Sequence, residues 1–198
     1  MHGYGKQVVG SGCVYEGEFR NGASQGRGKC TWPGGWEYEG EWVNDFREGD
    51  GRCRQIVLGR NASNDGTKGE VYTGEWKADK WHGVGLLQFA EGGDYEGEFR
   101  EGKIEGEGRY LFTDGSCYIG SFRQDLRKGK GSMAYADGTR YEGEWNNNWR
   151  EGTGILFYGG GRRFEGTFRH DEPLDGFLHS QDGILERVVN GESASAGL

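Results

Sequence analysis

Residues 95–112 read YEGEFREGKIEGEGRYLF, and the spacing inside this stretch decides the fold. Tyr95, Gly97 and Phe99 fall two apart, and so do Gly106, Gly108, Tyr110 and Phe112. A period of two belongs to a strand, because successive side chains point to opposite faces. The stretch therefore reads as two strands around a turn at Gly102, a residue type that tolerates positive φ. The same aromatic-x-Gly-x-aromatic element starts at Tyr15, Tyr38, Tyr72, Tyr118, Tyr141 and Phe164. Successive starts lie 23 residues apart, except for one interval of 34 between Tyr38 and Tyr72. Self-similarity at such a period marks a repeat array.

The rest of each copy recurs as well. Paired glycines follow at Gly26 and Gly28, Gly49 and Gly51, Gly83 and Gly85, Gly106 and Gly108, Gly129 and Gly131, and Gly152 and Gly154. Two residues beyond stand Cys30, Cys53, Leu87, Tyr110, Met133 and Leu156, and two further Trp32, Gln55, Phe89, Phe112, Tyr135 and Tyr158. One turn position holds Gly22, Asp45, Asp79, Gly102, Asp125, Asn148 or Asp171, the residue types that best accept positive φ. Glycine inside a strand weakens it, so each Gly pair is expected to be a slot that lets strand A rings lie on bare backbone. Both glycines of a pair, the apolar residue and the aromatic are expected on one face. The other face alternates charge, with Glu16 and Glu18, Glu39 and Glu41, or Glu142 and Glu144 opposed by Arg27, Lys29, Arg52 or Lys130. The fold class that follows is all-β: an elongated, twisted antiparallel β-hairpin repeat array.

Composition limits the function classes. Aromatic residues reach 14% beside only 33% hydrophobic residues, which separates the chain from disordered segments. Gly numbers 41 and Pro only 2, without a G-X-Y period, which excludes collagen. A net charge of −8 disfavours nucleic acid, whose backbone is bound through Lys and Arg. No apolar run is long enough for a membrane helix and no signal peptide stands at the start, so a cytoplasmic chain is expected. Cys13, Cys30, Cys53 and Cys117 form no C-x-x-C pair and read as reduced thiols. His2, His82, His170 and His179 lack metal-ligand spacing, and no nucleophile has a visible base partner. No catalytic site, metal or cofactor is expected.

The array is expected over residues 1–185 as one domain. It starts as a half repeat over 1–14, with Gly3 and Gly5 in the second-strand register, and ends in a degenerate cap from 164, where Asp175 replaces a glycine. An open first strand could pair with another copy, so a homodimer through a terminal edge is one expectation. Residues 58–68 form a loop insertion, and residues 186–198 read as a flexible tail.

The pattern Y-E-G-E-[FW]-x-x-G/D-x-x-x-G-x-G resembles the MORN (membrane occupation and recognition nexus) repeat over about residues 2–177. The resemblance implies a curved or twisted hairpin array without activity of its own and a scaffolding or targeting role. Such arrays occur in membrane–cytoskeleton linkers, radial spoke heads of cilia and flagella, parasite cytoskeletal collars and regulatory parts of lipid kinases. The usual G-K-x-H-G hairpin survives only at Lys80-Trp81-His82-Gly83.

Two surfaces are candidate sites. Phe46, Trp81, Ile104, Leu126 and Trp149 fall in successive hairpins outside the strand core pattern, flanked by Arg47, Arg127 and Arg150. Aromatic residues with Arg are typical of binding hot spots, so this edge is expected to receive a partner helix or peptide. The alternative is that these side chains fold back and plug the core. Residues 118–169 carry nine basic and six acidic side chains, with Arg140, Arg162 and Arg163 near one repeat junction. That cluster suits an acidic protein surface or a phosphoinositide. The leading expectation is a protein-interaction scaffold on the cytoskeleton or in a cilium. The alternatives are a peripheral phosphoinositide-binding module and the regulatory segment of a larger enzyme.

Overall fold

The computed structural model describes residues 1–10, 12–56 and 67–193, which fall into two compact units, Met1–Lys103 and Ile104–Leu198. The first holds β1 (Gly3–Val9), β2 (Cys13–Arg20), β3 (Ala23–Thr31), β4 (Trp36–Val43), β5 (Phe46–Ile56), β6 (Thr67–Lys77), β7 (Lys80–Gln88) and β8 (Asp94–Arg100). The second is entered by β9 (Lys103–Leu111) and continues through β10 (Cys117–Arg123), β11 (Leu126–Ala134), β12 (Arg140–Asn146) and β13 (Trp149–Phe157). After a single 3₁₀ turn at Gly159–Gly161 come β14 (Arg163–Arg169), β15 (Glu172–His179), β16 (Leu185–Val189) and β17 (Glu192–Ser193). Within each unit every strand pairs antiparallel with the next in sequence. The described residues contain no α-helix.

Glycine sets the register. In the first unit Gly5, Gly17, Gly28, Gly40, Gly51, Gly74, Gly85 and Gly97 oppose one another strand by strand. In the second, Gly108, Gly120, Gly131, Gly143, Gly154, Gly166 and Gly176 do the same. Over this row lie the tyrosine rings. A Cβ on Gly131 would sit 2.5 Å from Cε2 and Cζ of Tyr118, and one on Gly17 would sit 2.5 Å from the Gly28 Cα. Tyr15, Tyr38, Tyr95, Tyr118 and Tyr141 are wholly buried. Each of their hydroxyls donates to the carbonyl three residues on, Tyr15 to Glu18 at 3.0 Å and Tyr141 to Glu144 at 3.0 Å, so burial leaves no orphan.

Only the second glycine of each pair serves as that slot. A Cβ on Gly26 would instead meet the carboxyl of Glu18, although Gly26 opposes Trp42 in unbroken register with Gly28 and Gly40. The cause is a bulge: from Gly17 to Phe19 β2 advances two residues, while β3 advances four, from Gly28 to Ser24. Gly26 takes φ +67° there. The Glu that follows the slot glycine of the first strand caps this bulge in several copies. Glu75 accepts the Val84 N–H at 2.9 Å, and Glu144 accepts the Thr153 N–H at 2.7 Å and its hydroxyl at 3.1 Å.

The rings form a continuous edge-to-face chain in each unit. Trp42 contacts Tyr15 at 5.1 Å and Tyr38 at 5.2 Å; Trp76 contacts Tyr38 and Tyr72; Trp145 contacts Tyr118 and Tyr141. Each pair is worth roughly 0.5–1.5 kcal/mol beyond its burial. The chain thus ties each repeat to the one before it.

The A–B turns are type I′, with positive φ at both central residues: Asn44 and Asp45, Ala78 and Asp79, Gln124 and Asp125, Asn147 and Asn148, His170 and Asp171. The second of these residues also binds the preceding hairpin. Asp45 accepts the Ser24 N–H at 2.7 Å and returns its own N–H to the Ser24 carbonyl at 3.1 Å. Asp79 does the same for Arg47, Asp125 for Ile104, Asn148 for Arg127 and Asp171 for Arg150.

Several expectations are corrected. Cys13 and Cys30, both buried, stand as a disulfide with Cα atoms 6.0 Å apart, leaving Cys53 and Cys117 as the free thiols. Cys13 lies two residues before Tyr15, which stands opposite Cys30, a diagonal neighbour that repeat spacing alone does not single out. The proposed tail from 186 begins inside a strand, because Val188 is buried and pairs with Gly176. In the cap, Gly176 opposes Gly166 and the bulge is one residue shorter, so Gly176 fills the slot that the repeat spacing assigned one residue later. Thr67 and Lys68, expected in the loop insertion, open β6, and the remainder of 58–68 lies outside the described residues.

Candidate functional site

The residues opening each second strand determine what the hairpin edge presents. The first residue is Ala23, Phe46, Lys80, Lys103, Leu126 or Trp149, and the second is Ser24, Arg47, Trp81, Ile104, Arg127 or Arg150. Strand alternation sends these two sets to opposite faces. Phe46 is 52% exposed and Trp149 48%, and Leu126 is half-buried. Ile104, by contrast, is buried. Trp81 lies flat on Tyr72, with centroids 4.9 Å apart and planes at 14°, and meets Phe99 edge-on at 5.8 Å. The five apolar hairpin residues therefore divide between the two readings. Phe46 and Trp149 face outward, while Trp81 and Ile104 pack onto the core.

The arginines of the second set also turn inward. The Arg47 guanidinium sits 4.4 Å above the Trp76 ring and donates to the Asp79 carboxylate at 2.9 Å and carbonyl at 2.9 Å. Arg127 sits 4.4 Å above Trp145 and donates to the Asn148 carbonyl at 2.9 Å. Arg150 lies 5.6 Å from Tyr141 and Phe168 and donates to the Asp171 carbonyl at 2.5 Å. These guanidiniums join neighbouring repeats and cover the ring chain.

Of the basic cluster, Arg140 pairs with Glu142 and stacks 4.2 Å above Phe157, and Arg162 lies 5.7 Å from the Tyr158 ring. Arg163 opens β14 opposite Phe157 on one side and His179 on the other. Among the described residues the charged face has one buried member, Glu37, bridged by Lys29 at 2.7 Å and by Arg54 at 2.8 Å. Burial works to raise the Glu37 pKa, but the hydrogen bonds from Lys29 and Arg54 outweigh it and hold the carboxyl below its ordinary range. Burial pushes the Tyr15 and Tyr141 hydroxyls up to about 12, so they keep their protons at neutral pH.

A groove of about 730 Å³ opens on the ring face of the first unit. Trp32, Pro33, Trp36, Arg47, Trp76 and Trp81 line it. Repeat spacing did not mark it. Trp36 stands two residues before Tyr38, at a position occupied by Cys13, Ser116 or Thr139 in other copies, and Trp81 stands where two later copies place an arginine.

The family model described as MORN repeat matches residues 15–37, 38–54, 72–94, 95–117, 118–140 and 141–162. Comparison with curated proteins gives no match. Among solved structures, the SAS-4 (dCPAP) TCP domain of Drosophila melanogaster, in complex with a proline rich motif of Ana2 (dSTIL), is 10% identical with a TM-score of 0.48. The match covers 94% of this chain and 90% of that one. The wild-type TCP10 domain of Danio rerio CPAP is 13% identical with a TM-score of 0.49, over 93% and 82% of the two chains.

Proposed function

The chain belongs to the MORN repeat family, and on that premise we propose that it is a protein-interaction scaffold working at a cytoskeletal or ciliary assembly. MORN repeats form protein-interaction or membrane-association modules, and the family points to a non-catalytic role. The observation that carries the choice of a protein partner is the outward placement of Phe46 and Trp149 on hairpins pinned by turn hydrogen bonds. A large ring exposed on a rigid support loses little conformational freedom on binding, which is the property of a hot spot. The basic cluster supports a lipid partner less well, since Arg140 is already engaged by Glu142 and Phe157.

The test is detergent fractionation of the tagged protein and of a Phe46→Ser/Leu126→Ser/Trp149→Ser variant in cells. Retention of the parent in the detergent-resistant pellet and release of the folded variant supports the reading. Equal retention of both would remove the hairpin edge from it. Extraction of the parent with membrane lipids would favour the membrane alternative and turn attention to Arg140, Arg162 and Arg163.

A further inference from the structure

We propose that the groove of the first unit is a docking site for a proline-rich segment in the polyproline II conformation; this rests on the interaction-scaffold reading. The groove's indoles are of two kinds. The Trp76 N–H, like those of Trp42 and Trp145, donates to a glycine carbonyl, here that of Gly51 at 3.1 Å. The indole N–H groups of Trp32, Trp36 and Trp81 have no hydrogen-bond partner among the described residues. Three flat apolar surfaces therefore come with three unused donors. A polyproline II segment supplies the complement: its rings stack on flat aromatic faces, and its carbonyls are all free because the helix has no internal hydrogen bonds.

Charge points the same way. The groove's cations are already matched, Arg47 by Asp79 at 2.9 Å and Lys80 by Glu101 at 2.6 Å. The complement of a charge-balanced groove is an uncharged ligand, which a proline-rich segment is. Strand addition is excluded, since β3 to β7 are each paired on both edges and the groove lies on a sheet face. A helix would cover the rings, but its own carbonyls are occupied and would leave the three donors without acceptors. Pre-formed extension also lowers the ordering cost of the ligand.

The experiment titrates the full chain into fluorescein-labelled decaproline and reads anisotropy, with circular dichroism confirming that each variant is folded. Saturable binding with a Kd below about 1 mM is expected. Trp36→Ala, at a ring that packs little, should weaken it at least about tenfold, and Trp36→Phe, which keeps a ring but removes the donor, by about fivefold. Ile119→Ala, at an exposed side chain in the other unit, should leave it unchanged. Absence of saturable binding, indifference to Trp36→Ala, or equal Trp36-dependent binding of a labelled amphipathic helical peptide would overturn the proposal. Failure of decaproline while the hairpin-edge variant still loses its cellular retention would overturn the groove assignment and leave the scaffold reading intact.

Discussion

Replacing Gly131 with alanine isolates the physical demand that organises the chain. Gly131 does not adopt positive φ, so alanine carries no backbone penalty there. Its methyl group would stand 2.5 Å from two ring carbons of Tyr118, well inside van der Waals contact. Tyr118 is wholly buried and its hydroxyl donates to the Ser121 carbonyl at 3.1 Å, so the ring must leave both its packing and its hydrogen bond. Overpacking of this kind costs about 1–3 kcal/mol. The displaced hydrogen bond adds about 1 kcal/mol. Reduced freedom of the unfolded chain returns about 0.4–1 kcal/mol. The net loss is about 1–3.5 kcal/mol, read in urea unfolding as a lower midpoint at unchanged slope. For a chain of this size that is a fall in Tm of about 2–14 °C. Gly159→Ala is the matched control, with nothing within 4 Å of its Cβ, and should stay within about 0.5 kcal/mol of the parent. Equal stability of the two variants would refute the account of the glycine row.

Asp45→Ala removes the acceptor of the Ser24 N–H and should cost about 1–2 kcal/mol in denaturant titration, whereas Asp45→Asn should be tolerated because Asn148 fills the same place in another copy. Arg127→Lys should destabilise the second unit by about 1 kcal/mol or more, measured the same way, since an ammonium cannot both stack on Trp145 and span to the Asn148 carbonyl. Glu37 has its pKa lowered on folding, so its contribution is present above the unfolded carboxylate pKa of about 4.3 and is lost as pH falls through the folded value. Glu37→Gln should therefore flatten the acid limb of the stability–pH profile below about pH 4.3, and an unchanged limb would deny the bridge. Thiol titration of the unfolded, unreduced protein should find two reactive cysteines, Cys53 and Cys117, and four would deny the Cys13–Cys30 pair.

The hairpin architecture was legible because each constraint recurs. Tyr118, Gly120 and Phe122 must share a face, and Gly131 must be bare for Tyr118 to lie flat. The turn position was legible for its acceptance of positive φ, but its second task was not, since the partner of Asp45 lies in the preceding hairpin. The bulge adds two residues to the second strand, so counting by twos across it keeps Arg47, Gly49 and Gly51 on one face and Phe46 on the other; what the count could not reveal is the positive φ of Gly26, which aims a Cβ there at Glu18. Treating neighbours such as Phe46 and Arg47 as one surface also merges residues that alternation separates. The groove was invisible for the opposite reason: Trp36 and Trp81 are departures from the repeat, and a pattern cannot weigh its own exceptions.

Sequential pairing has a mechanical consequence. Because each strand is bonded to its predecessor and successor in the chain, tension applied to the ends of either unit would load one hairpin ladder at a time. Bonds then open like a zipper instead of shearing together, and each step releases about one repeat of chain while its neighbours stay closed. The joints at Asp79 and Arg47, and at Asp171 and Arg150, become the rungs at which such peeling pauses. A unit built this way yields gradually under load and recloses from whichever repeats remain.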